Sequence, residues 1–85
     1  MLINNRIIRQ DYSWSKDKIL QHLKEFIENK CVLDPNKCVL VSEFRKECRL
    51  NQMIVSEYLK SIGIIQIRIY FNGKNQRAWI GIDIL

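Results

Sequence analysis

Apolar residues recur along this chain with two periods, and the change from one to the other divides it. Ile19, Leu20, Leu23, Phe26 and Ile27 fall three and four apart, the spacing of one buried helical stripe. Ser15 stands where an N-cap is wanted, and Asp17 lies in the first turn, where a carboxylate favours the helix dipole. Lys18, Gln21, Glu25 and Glu28 take the solvent side, and His22 lies at the boundary of the stripe. Asp34-Pro35-Asn36 is a strong turn signal, so this helix ends near Lys30.

Cys38 to Val41 is four residues long and apolar, which suits a short buried strand. Ser42 is expected to cap a second helix ending around Arg49, with Phe44 and Cys48 on its inner face. Asn51 caps a third from Gln52, whose apolar set is Ile54, Val55, Tyr58, Leu59 and Ile62. Gly63 follows where a left-handed C-cap is wanted. Two short helices joined by a tight turn are a helix-turn-helix pattern.

From Ile65 the period becomes two. Ile65, Ile67, Ile69 and Phe71 alternate with Gln66, Arg68 and Tyr70; after Asn72-Gly73, Ala78, Ile80, Ile82 and Ile84 alternate with Arg77, Trp79, Gly81 and Asp83. This is a hairpin with its isoleucines expected on the core face. A four-residue loop from Asn72 to Asn75 is the preferred register, setting Ile69 against Ala78, Arg68 against Trp79 and Tyr70 against Arg77. A two-residue Asn72-Gly73 loop would keep the parity and set Gln76 opposite Ile69. The order helix, strand, helix, helix, strand, strand predicts an α+β winged helix-turn-helix domain over residues 15–85. Residues 1–14, with Leu2, Ile3, Ile7 and Ile8, read as an arm or a linker.

Charge narrows the partner class. Fourteen basic and nine acidic residues give a net charge of +5. No Asp or Glu occurs from Tyr58 to Ile82, where Lys60, Arg68, Lys74 and Arg77 lie; Arg6 and Arg9 form a smaller group. A stretch of one sign attracts phosphate backbones. The expected DNA contacts are Gln52, Ser56 and Lys60 on the outward side of the third helix, with Arg68, Lys74 and Arg77 on the wing. Tyr70 and Trp79 are expected as exposed wing aromatics among these cations, able to stack on bases or pair with the arginines.

Other classes have little to stand on. Cys31, Cys38 and Cys48 are odd in number, include no Cys-x-x-Cys pair and follow the sole histidine, so neither a disulfide framework nor a metal site is expected. No phosphate loop, metal-protease motif or nucleophile with a recognisable base is present, so neither an enzyme nor a cofactor is expected. No apolar run approaches the roughly 18 residues of a membrane span, and the amino terminus does not read as a signal peptide. An intracellular place, in the cytoplasm or nucleus of a host cell, is expected.

Phe26-Ile27, Cys31 to Pro35, Val41-Ser42-Glu43-Phe44, Leu59, Ile62-Gly63 and Arg77-Ala78-Trp79-Ile80-Gly81-Ile82 together resemble a known family. It is the carboxyl-terminal winged-helix domain of poxvirus-type and phage/plasmid-type primase–helicases, over about residues 20–85. The resemblance implies an accessory role in viral or mobile-element DNA replication, holding DNA near a replication enzyme or recognising an origin-like site. It carries over Trp79 and Gly81 as structural members of the wing strand. Two other readings use the same residues. In one, Trp79, Tyr70 and the apolar arm dock on a partner protein or a second copy; in the other the basic residues bind RNA.

Overall fold

Helix ends in this chain are written in local hydrogen bonds. A computed structural model of the protein describes residues 8–85; Leu2, Ile3, Arg6 and Ile7 lie outside them. Helix α1 (Lys16–Lys30) starts where the Ser15 hydroxyl accepts from the Lys18 N–H at 3.3 Å. Helix α3 (Gln52–Ser61) starts where the Asn51 side chain accepts from the Met53 and Ile54 N–H groups. It ends as expected at Gly63, whose φ of +91° is the left-handed stop. There the Ile64 N–H donates to the Leu59 carbonyl and the Gly63 N–H to that of Lys60, leaving Ile64 turned into the core.

Helix α2 (Val41–Glu47) departs from the reading: its N-cap is Leu40, which makes no side-chain cap bond, so Ser42 lies inside the first turn. The chain leaves a strand directly into this helix, and the cap position falls on the strand's last residue.

Three strands form one antiparallel sheet in the order β2-β5-β4, with β2 Cys31–Leu40, β4 Ile65–Phe71 and β5 Lys74–Ile84. Strand β2 is longer than the four residues expected. Cys31, Val32 and Leu33 pair with Ile84, Asp83 and Ile82, and Cys38, Val39 and Leu40 pair with Ile80, Trp79 and Ala78. Asp34-Pro35-Asn36, expected as a turn, is instead a bulge within β2, where the pairing with β5 shifts between Leu33 and Cys38. Asp34 closes it by accepting the Asn36 N–H at 2.8 Å.

Opposite the bulge, Gly81 sits at φ +105° with no partner across the ladder. It reverses the alternation, so Trp79 and Ile82, three apart, both enter the core. A Cβ at Gly81 would lie 3.0 Å from the Ile64 Cδ1; that methyl can yield, whereas the backbone angle cannot. Gly81→Ala is therefore expected to destabilise the fold by about 1–3 kcal/mol, measured by chemical denaturation.

The predicted hairpin forms, but in the shorter of its two registers and with its isoleucines on the face away from the helices. The loop is the two-residue Asn72-Gly73, with φ of 53° and 74°, a type I′ turn. Ile69 pairs with Gln76, Ile67 with Ala78 and Ile65 with Ile80. The face against the helices carries Trp79, only 3% exposed, beside Val39. The isoleucines face outward: Ile65 is 56% and Ile67 38% exposed. Trp79 was expected as an exposed wing aromatic; it is a core residue, because the largest apolar side chain on the central strand fills the space under the helices.

The core joins Leu23, Phe26, Phe44, Val55, Leu59, Trp79 and Ile82. Phe26 and Phe44 meet edge to face at 5.8 Å, locking α1 to α2. The result is an α+β domain of three helices on a three-stranded antiparallel sheet, an order compatible with a winged-helix-like arrangement.

Residues 8–14 are bound to this body. Ile8–Arg9 (β1) runs parallel to Cys48–Arg49 (β3), the Gln10 N–H donates to the Arg49 carbonyl, and the Gln10 Oε1 accepts the Asn51 N–H at 2.7 Å. The strap so formed lies along the turn between α2 and α3. Trp14 then stacks on His22, with ring centroids 4.0 Å apart and planes 2° from parallel.

No disulfide joins the three cysteines. Burial pushes the Cys48 thiol up to about 12, against a smaller opposing pull from a hydrogen bond with the Leu50 backbone. A thiol held protonated in the fold contributes stability below its ordinary value of 9.0, and that contribution is lost as pH rises toward 12. Only thiolate reacts with alkylating agents. Exposed Cys38 is thus expected to alkylate rapidly at pH 8 in native monomer, and Cys48 only on unfolding, a difference that peptide mass spectrometry reads directly.

Candidate nucleic-acid interface

The two-residue turn fixes which side chains of the hairpin are neighbours. Phe71 and Lys74 flank it, so hydrogen-bonded and open pairs alternate from there, and Arg68 falls opposite Arg77 in an open pair. In such a pair the Cβ atoms stand about 5 Å apart. Both arginines are exposed. Neither of the two is in the ion pairs Lys16–Glu57 and Lys46–Glu43. Two like charges directly opposed on a sheet are destabilising, and no carboxylate offsets this one.

Tyr70, 75% exposed, follows on the same face as Arg68, opposite Asn75, and Lys74 stands at the turn. This face also carries Gln66 and Trp79, so the charged group extends the helix-bearing side of the sheet beyond the core. The structure therefore brings Arg68, Arg77 and Tyr70 together, with Lys74 at the tip. Arg68 does not lie across from Trp79, nor Tyr70 from Arg77; the shorter loop shifts β5 by two residues against the expected register.

On α3, Gln52, Ser56 and Lys60 recur every four residues and form one stripe. Their availability differs. The Gln52 amide donates to the carbonyls of Cys48 at 3.1 Å and Leu50 at 2.8 Å, closing the turn. Both its N–H groups are thus engaged within the protein, and its carbonyl oxygen is what remains for a base. Ser56 is half-buried and Lys60 exposed. Glu57, the acid on this helix, pairs with Lys16 at 3.6 Å, which moderates its repulsion of an anion. Met53 is 74% exposed in the first turn of the same helix.

A second basic group went unread in the sequence. Arg45, Lys46 and Arg49 surround a depression of about 460 Å³ at the junction of α2 and α3, with Ser42, Leu50 and Gln52 completing its lining. The Arg49 Nε donates to the Lys46 carbonyl at 3.1 Å, which holds that guanidinium across the end of α2. Glu43 and Glu47 interleave with these cations in sequence and hide the group from a charge count. The signal that finds it is the four-residue spacing of Arg45 and Arg49.

Among the described residues no three of His, Cys, Asp and Glu come together to hold a metal ion, and no helix is long and apolar enough to cross a membrane. No family model, no curated protein and no solved structure matches the chain.

Proposed function

We propose that this protein is a winged-helix domain that binds DNA through its β4–β5 hairpin and the outward stripe of α3. The observation that carries this reading is the cross-strand Arg68–Arg77 pair. A sheet that opposes two guanidinium groups with no carboxylate at hand gives up stability, and a phosphate placed between them restores it. Tyr70 extends the same surface with a ring on which a base can stack, and Lys74 adds a cation at the hairpin tip beside it. Lys60 on α3 and the Arg45–Arg49 group supply further phosphate contacts. The β2-β5-β4 sheet order, with the lone strand beside the second strand of the hairpin, supports the winged-helix assignment.

The replication role implied by the family resemblance is part of the proposal, as an accessory domain that holds DNA near a replication enzyme. Of the two residues carried over from that family, Gly81 occupies a backbone angle that favours glycine and Trp79 the core.

Fluorescence anisotropy with labelled duplex and single-stranded DNA, at low and moderate salt, tests the reading. Wild-type protein is expected to bind and to weaken steeply with salt, while the combined Arg68→Ala, Lys74→Ala, Arg77→Ala protein loses about 30-fold or more in affinity at low salt. Absence of binding to both DNA forms at low salt would overturn the proposal.

A further inference from the structure

The sheet has a second face, and among the described residues no helix covers it. Ile65, Ile67, Ile69 and Phe71 of β4 share it with Ala78 and Ile80 of β5 and with Cys38 and Leu40 of β2, by the pairing of the strands. Phe71 is 47% exposed in addition to Ile65 and Ile67. The surface continues past the sheet's end, where Leu33, Pro35, Ile62, Ile65 and Ile80 line a depression of about 340 Å³. Ala78 alone is sealed, by its neighbours on either strand.

From these exposures the apolar patch is on the order of 600 Å², the upper end of what a monomer ordinarily shows water. Burying it against an equal patch removes about 1,200 Å² in total, which reaches the range of specific protein interfaces.

We propose that this outer face is the seat of a second copy of the chain, packed sheet to sheet about a two-fold axis. Three features select that occupant. A two-fold contact needs a surface complementary to itself, and an apolar sheet face satisfies this. The chain carries +5, so two copies repel wherever cations meet; the one cation of this face on its paired strands is Lys74 at the tip, with Asp83 opposite Val32 beyond the bulge, whereas the opposite side holds Arg68 and Arg77.

The third feature is the placement of charge at its two ends. Lys74 stands at the hairpin tip, and Asp34 borders the face at the bulge, beyond Ile65 and Ile80. With the strands of the two copies running in opposite directions, the tip of each lies over the bulge of the other, and Lys74 meets the second copy's Asp34 twice. The arrangement leaves the arginine side of both hairpins turned away from the contact. It does not depend on nucleic acid, so it stands or falls separately from the DNA reading.

Sedimentation equilibrium of the full chain without nucleic acid, from about 1 to 100 µM, tests this directly. A dimer that survives high salt is expected, because its contact is mostly apolar. Ile65→Lys with Ile67→Lys is expected to weaken association at least about 100-fold, since charge is foreign to an interface core, with the far-UV circular dichroism unchanged. Should that protein fail to fold, the exposed pair decides: Lys74→Asp and Asp34→Lys each weaken the dimer, and the two together restore it. A wild-type monomer throughout the range would overturn the proposal. So would a dimer indifferent to the folded double-lysine protein or to the charge exchange. Dimerisation that appears only when residues 1–7 are removed would also overturn it, by identifying that segment as the occupant.

Discussion

Trp79→Ala is expected to remove most of the protein's stability at 25 °C. The indole is buried on the central strand within the core that the helices share with the sheet, and its loss leaves a cavity that the surrounding side chains cannot fill. Large aromatic-to-alanine changes in a core cost about 3–5 kcal/mol. A domain of this size has a stability toward the low end of about 5–15 kcal/mol, so little remains. Thermal or urea denaturation followed by far-UV circular dichroism reads the loss. The substitution separates two roles for this residue, because an exposed aromatic on a binding loop would alter affinity and leave the melting curve in place. A Trp79→Ala protein with a wild-type midpoint would mean that the indole is not under the helices.

What the sequence discloses here, and what it conceals, follows from the range of the interactions. Ser15, Asn51 and Gly63 were legible because each acts on hydrogen-bonding groups within a few residues of itself. The alternation of Ile65, Ile67 and Ile69 was legible as a strand for the same reason. Alternation fixes parity, however, and says nothing about which face meets the helices. That depended on Trp79 competing with the isoleucines for the core and on Gly81 reversing the pattern halfway along β5. A glycine inside an alternating run was the available cue.

The register turned on a loop of two residues or four, and Asn72-Gly73 in a type I′ turn is the shorter answer that its chemistry favours. The cations of the candidate interface were legible as a one-signed stretch. Their pairing was not, since Arg68 meets Arg77 only in the two-residue register. Gln52 was legible as an outward residue of α3, but its bonds to the Cys48 and Leu50 carbonyls depend on the path of the turn.

Arg68→Glu is expected to move stability and affinity in opposite directions. A glutamate opposite Arg77 replaces repulsion with attraction across an open pair, a change of about 0.5–1 kcal/mol, which raises the melting midpoint by roughly 3–6 °C in a domain of this length. The same substitution reverses a charge on the surface proposed to hold phosphate, and DNA affinity at low salt falls by about 30-fold or more. Differential scanning calorimetry and anisotropy on one preparation measure both. A destabilised protein would show that the guanidinium has a structural partner. A stabilised protein with unchanged affinity would place the DNA contacts elsewhere, with the Arg45–Arg49 depression the next surface to alter.

The central claim is that Arg68 and Arg77 jointly hold phosphate, and the salt dependence of binding addresses it most directly. For duplex DNA the logarithm of the affinity falls with the logarithm of salt by about 0.9 per phosphate neutralised. Removing both guanidinium groups, as Arg68→Ala with Arg77→Ala, is predicted to make that slope shallower by about 0.9, the share of the one phosphate they hold between them. An unchanged slope would contradict the account, even where the affinity itself had dropped.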